Sequence, residues 1–272
     1  MQRVKDAEQC QALRGQVRHD GIIVQTDGYD HLKYGGMELR TKFLVLFIAA
    51  NIMTCTSANT PVPKSIPEGT WNYDLIVNSV KAGKATFSNT VSDNNYVVKT
   101  ELYLSVGPIE NKSLSIVTET KDFKPVKLEE YNTVTDRSTG NVQEIKKSAI
   151  FEGVNITFQS GDKKSKFKID EDFILNGNYF ISELIKSQFV QDTIVQAHMY
   201  EPLVEIDSTI LAIAEVKGYS SVKVGEKSMK LLHLKLRIEN LKSIDMYLNE
   251  HGVTEKMIIN MLNNEFIMER IN

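Results

Sequence analysis

The chain has 272 residues, 42% hydrophobic and 25% charged, with 32 Lys and Arg against 35 Asp and Glu for a net charge of −3. This is globular composition, enough for one large domain or two small ones, and it lacks the basic excess of a nucleic-acid binder. A mean hydropathy of −0.24 excludes a polytopic membrane protein.

Residues 1–36 carry no sustained helical or alternating pattern and are broken by Gly15, Gly21, Gly28, Gly35 and Gly36. They are expected to be an over-extended start or a disordered leader. Arg40 and Lys42 then place positive charge directly before an apolar run that begins Phe43-Leu-Val-Leu-Phe-Ile-Ala-Ala50. Residues 43–54 number 12. A bilayer-crossing helix needs about 20 residues, whereas a secretory signal has an apolar core of about 7–15. The pattern predicts a signal peptide over 37–54, with Met37 as the initiator. A long leader or a long signal read from Met1 is the alternative.

The chain has two cysteines, Cys10 and Cys55, and none follows residue 55. The domain beyond it is therefore expected to have no disulfide, thiolate metal site or cysteine nucleophile. Ile52-Met53-Thr54-Cys55 resembles the lipobox of bacterial lipoproteins, whose pattern is an aliphatic residue three before the cysteine, small residues between, then Cys. Met53 and Thr54 depart from the usual small residues. The resemblance implies cleavage before Cys55 and acylation of that residue, hence a membrane contact through N-terminal lipid. A conventional signal cut near Ala58 is the competing reading. Thr56, which is not Asp, implies outer-membrane sorting in that family. Residues 55–69 hold Pro61, Pro63 and Pro67 among small polar residues and read as a flexible linker.

From residue 70 to 272 the pattern predicts a single β-rich domain. Trp71, Tyr73, Leu75 and Val77 fall on one strand face and Asn72, Asp74 and Asn78 on the other, Lys81-Ala-Gly-Lys84 reads as a turn with Gly83 at positive φ, and Ala85, Phe87 and Val91 begin the return. Tyr96, Val98, Leu102 and Leu104 alternate again. Further strands are expected at 113–119, 126–135, 144–151, 153–159, 164–170, 193–200, 208–217, 220–224 and 229–239. Two closing hairpin units span 245–259 and 265–271. One stretch breaks the alternation. After Asn176-Gly-Asn178, a candidate N-cap, Phe180, Leu184, Ile185 and Phe189 form an amphipathic helical stripe over 179–189. One helix among a dozen strands predicts a mainly β fold, a strongly curved and mostly antiparallel sheet or half-barrel.

Gly69-Thr-Trp-Asn-Tyr73, Val80-Lys-Ala-Gly83, Phe123-Lys-Pro125 and Met246-Tyr-Leu-Asn-Glu-His-Gly252 resemble a family of bacterial periplasmic proteins and lipoproteins that share a domain of unknown function. The resemblance covers most of 68–272. Its curved sheet is similar in style to periplasmic carriers that cradle acyl chains in a half-barrel.

No residue pattern carries an enzyme. His198, His233 and His251 form no i, i+2 or i, i+4 pair, so no local metal motif exists and no cofactor is expected. No G-x-S-x-G elbow occurs. Glu129-Glu130 and Glu171-Asp172 are adjacent carboxylates; neighbours in a strand face opposite ways, so both pairs read as solvated surface rather than as an acid–base dyad. Lys164, Lys166 and Lys168 share one strand face. They suit either contact with anionic lipid headgroups or an edge strand kept from aggregating by its lysines. Trp71, Tyr73, Phe87, Phe180 and Phe189 line either a lipid groove or an ordinary core.

The expected function is that of an exported, lipid-anchored envelope module, non-catalytic and binding a partner protein or structural surface. The alternative is a carrier that shelters an acyl chain or other apolar ligand. A filled core favours the first; a dry apolar cavity of several hundred Å³ favours the second.

Overall fold

Alternating side chains over most of the sequence require a sheet with one buried face, and hairpin turns at short intervals make its strands antiparallel. The computed structural model describes residues 61–202, 206–239, 241–261 and 264–271. The expected leader, the expected signal with Arg40 and Lys42, and Cys55 lie outside the described residues.

The first arm of the sheet contains β1 (Gly69–Val77), β2 (Val80–Ser92), β3 (Asn95–Val106), β4 (Ile109–Thr120), β5 (Pro125–Asp136), β6 (Asn141–Glu152), β7 (Asn155–Ser160) and β8 (Lys163–Lys168). Helix α1 (Asn178–Lys186) follows, then β9 (Ile194–Met199), β10 (Ile210–Val224), β11 (Lys227–Ile238), β12 (Lys242–Leu248), β13 (Thr254–Met261) and β14 (Asn264–Arg270). They form one 14-stranded sheet in the order β8-β7-β6-β5-β4-β3-β2-β1-β14-β13-β12-β11-β10-β9. Every neighbouring pair is antiparallel. The first and last strands therefore zip together in the middle, Leu75 opposite Met268. The two free edges, β8 and β9, come from the middle of the sequence, and the strap 169–193 with α1 connects them. The sheet is curved and unclosed, in keeping with the curved sheet or half-barrel expected from one helix among a dozen strands. Side chains from β1 and β2 and from β11 and β12 meet across one interior: Trp71 and Phe87 face the same space as Leu236 and Ile244.

That interior holds the core. Phe180 of α1 packs with Ala212, Ala214, Leu236 and Ile244. Leu184, fully buried, packs with Val216, Leu232 and Leu248. At the other arm Phe151, Phe158, Phe173 and Tyr200 seal β4–β8 against the strap.

Several local expectations give way to the geometry. The first hairpin turns at Asn78 and Ser79, both with positive φ, not at Lys81–Lys84. Such two-residue turns need left-handed residues, and Ser is a weak signal for one. Gly83 lies inside β2 without positive φ; its missing Cβ admits a neighbouring carbonyl, since a Cβ there would sit 1.9 Å from the Tyr103 oxygen. The strands expected at 208–217 and 220–224 are one strand, β10, kinked by a bulge where Gly218 takes φ +87°. Helix α1 ends at Lys186 rather than 189, because Gln188 and Phe189 adopt positive φ; Phe189 is nonetheless buried beside Leu184.

The last part of the proline-rich linker lies on the sheet. Pro63 is buried, Val62 packs beside Leu184, and Tyr219 donates its hydroxyl to the Pro61 carbonyl at 2.9 Å. Gly252 makes room for it: a Cβ there would come within 3.2 Å of Pro63.

Candidate functional site

A cavity of about 310 Å³ lies between the curved sheet and the start of α1. Its wall is mostly apolar. Trp71 and Phe87 come from adjacent strands; Met246, Met257 and Met268 come from the strands beyond; Ile181 faces them from the helix. Methionine thioethers are flexible and polarisable and suit a wall that adapts to an apolar occupant. Tyr73 and Phe87 pack edge to face at 5.3 Å. The Tyr73 hydroxyl donates to the Thr254 carbonyl at 2.9 Å, and burial pushes its pKa up to about 12, so it remains a neutral donor.

The polar rim is a continuous hydrogen-bonded chain. Asn89 donates from Nδ2 to the Pro67 carbonyl at 2.8 Å. Asn178 donates from Nδ2 to Asn89 Oδ1 at 3.3 Å, and its N–H donates to Asn176 Oδ1 at 2.7 Å. Asn176 Nδ2 donates to Glu119 Oε2 at 2.6 Å, and the Leu175 N–H donates to Glu119 Oε1 at 2.7 Å. Glu119 is fully buried, and that burial pushes its carboxyl up to about 7 against the pull of these hydrogen bonds. The chain ties the linker, β2, the helix start and β4 together at the mouth of the cavity. Asn176 and Asn178 thus start the helix through an Asx-type contact, while the N-cap residue is Gly177 without a side-chain cap.

The residues singled out in the sequence fall in separate places. Trp71, Tyr73 and Phe87 line the cavity, whereas Phe180 and Phe189 are core. Lys164, Lys166 and Lys168 lie on the exposed outer side of edge strand β8, and Phe167 on its inner side meets the core. Glu129 faces out to Lys127 at 3.0 Å. Glu130 does not lie on solvated surface: it sits half-buried on the inner side with Leu128, Oε2 has no hydrogen-bond partner, and burial raises its pKa. Glu171 bonds His198 at 3.2 Å and accepts the Thr209 hydroxyl. His233 meets Asp245 at 2.8 Å and stacks on Tyr247 on the outer face, and His251 lies exposed in the β12–β13 turn. Among the described residues no group of three His, Cys, Asp or Glu side chains is placed to hold a metal, and no helix is long and apolar enough to cross a membrane.

Glu119 and the asparagine chain were not foreseen. Glu119 stands in Thr118-Glu-Thr120, and only its inward register beside Val117 and the strap reveals its burial.

By sequence the chain matches no protein-family profile and no curated protein. By fold it is similar to a β-barrel-like protein of the domain of unknown function DUF1849 from Brucella abortus, with TM-score 0.55 and 13% identity over 75% of this chain and 95% of that one. A DUF1089-family protein from Pseudomonas aeruginosa aligns with TM-score 0.34 and 9% identity over 70% of this chain and 90% of that one. The first similarity concerns the fold alone: a β-barrel-like domain of unknown function.

Proposed function

We propose that this protein is an exported, lipid-anchored envelope carrier that shelters an acyl chain or similar apolar ligand between its curved sheet and α1, without catalysis. The observation that carries this reading is the apolar cavity of about 310 Å³, at the lower end of the size of small-molecule sites and lined by aromatic and methionine side chains with a few polar groups at one rim. A closely packed interior would have favoured a purely structural module. The address rests on the sequence: the short apolar run after Arg40 and Lys42, and Cys55 placed directly behind it.

Trp71, the sole tryptophan, lies on the cavity wall and reports occupancy. Titrating the purified protein with dodecanoate is expected to shift Trp71 emission to saturation. Ile181→Phe, which fills the cavity from the helix side, is expected to abolish that shift while the thermal midpoint stays within a few degrees. Native mass spectrometry of the protein from cells is expected to show a co-purifying lipid. Absence of both lipid mass and dodecanoate saturation defeats the carrier reading.

A further inference from the structure

The two free edges of the sheet are guarded unequally. Sheet edges expose unpaired N–H and C=O groups and are normally blunted by lysines, prolines or a covering segment. Edge β8 carries four lysines in six residues. Edge β9 reads Ile-Val-Gln-Ala-His-Met, with no lysine and no proline, and Ile194 at its start is exposed. Only its far end is covered. Ile174 of the strap donates its N–H to the His198 carbonyl at 2.9 Å and accepts from the Tyr200 N–H at 3.0 Å, a parallel bridge opposite Met199.

That bridge shows which groups face the open side. The N–H and C=O of one residue in an antiparallel pair point the same way. The His198 carbonyl points away from β10, so the His198 N–H and both backbone groups of Gln196 do so too. Ahead of Ile174 the strap leaves the edge, and a groove of about 740 Å³ opens between them. Gln196 and His198 form one wall, with Glu171, Asp172 and Asp122 on its other sides. Lys124 is the one lysine or arginine on this lining, so the groove carries an acidic excess.

We propose that β9 takes an extended, lysine- or arginine-bearing segment of a partner protein as an added strand. Backbone bonds to Gln196 and His198 give affinity, and the acidic rim selects basic side chains. A second copy docking through the same edge would set acidic rim against acidic rim. This inference is independent of the cavity, which lies on the other side of the helix start.

The test is fluorescence anisotropy of a labelled alternating lysine–valine hexapeptide against the purified protein, beside a glutamate–valine hexapeptide. The lysine peptide is expected to bind and the glutamate peptide not to. Asp172→Lys is expected to weaken binding about tenfold, as is Gln196→Pro, the scale of one lost hydrogen bond with an orphaned partner. The Gln196 N–H faces the open side, so proline there spares the β9–β10 ladder. Where Gln196→Pro lowers the thermal midpoint, a lysine–valine peptide N-methylated at alternate amides replaces it and is expected to lose binding on the intact protein. Equal binding of both peptides, no binding of the lysine peptide, or full affinity of the methylated one overturns the proposal. So does concentration-dependent self-association through β9 that excludes the peptide.

Discussion

Asn176 holds the buried carboxylate of Glu119 through a 2.6 Å hydrogen bond from Nδ2, and the same carboxylate receives the Leu175 N–H. Burial nevertheless dominates and raises the Glu119 pKa from 4.5 to about 7. Between those values the folded protein holds a proton that the unfolded chain has released. Stability therefore falls as pH rises through that window, and above pH 7 the ionised form costs the fold about 3 kcal/mol. The sign is opposite to that of an ion-paired carboxylate. Glu119→Gln removes this titration. Urea midpoints of wild type and variant at pH 5 and pH 8 should show a larger loss for the wild type over that interval. Parallel changes in the two proteins refute the assignment.

Gly83 stands where the Tyr103 carbonyl leaves no room for a side chain, 1.9 Å from an ideal Cβ. Gly83→Ala must push β2 and β3 apart beside the Leu75–Ala85–Met268 cluster. Overpacking of this kind costs about 3 kcal/mol. Gly107→Ala is the informative comparison, because its Cβ meets nothing and only its φ of +56° is strained. Thermal unfolding should rank Gly83→Ala well below Gly107→Ala. The reverse order counts against a close-approach role for Gly83.

The strand pattern was legible because hydrophobic alternation alone fixes which face is buried. Leu232, Leu234, Leu236 and Ile238 on β11 are all buried, and His233 and Arg237 point the other way toward Asp245 and Glu215. Turn positions were less legible: Asn78-Ser79 and the bulge at Gly218 depend on backbone dihedrals that several residues tolerate. The cavity was half legible. Trp71, Tyr73 and Phe87 were visible as an aromatic face, but their facing Met246 and Met257 depends on how far the sheet curls, a long-range property with no local signature. The Asn89–Asn178–Asn176–Glu119 chain joins residues up to 89 positions apart, so no spacing announces it.

Asn89 links the linker to the helix start, donating to Pro67 and accepting from Asn178. Asn89→Ala leaves the Asn178 side-chain amide and the Pro67 carbonyl without these partners at the part-buried rim of the cavity. The expected cost is about 1–3 kcal/mol. The loss should also be local. Hydrogen exchange should accelerate at 61–67 and at the first turn of α1 while β11 stays protected. A uniform acceleration across the sheet shows instead that Asn89 acts on global stability.

Cys55→Ser tests the anchor. Each buried CH₂ of an acyl chain contributes about 0.8 kcal/mol, and a single short chain binds a membrane only marginally, so lasting attachment needs more than one chain on the residue. Serine removes the thiol that the proposed diacylglyceryl group requires. Cells expressing the variant should release the protein into the soluble fraction or retain it uncleaved, and intact-mass spectrometry of the wild type should show acyl mass on a chain beginning at Cys55. The sheet begins well after this position, at Gly69, so the variant should unfold at the wild-type temperature. Unchanged membrane fractionation with full cleavage of the signal shows that the membrane is held by something else, with the outward lysines Lys164, Lys166 and Lys168 of β8 the next residues to reverse in charge.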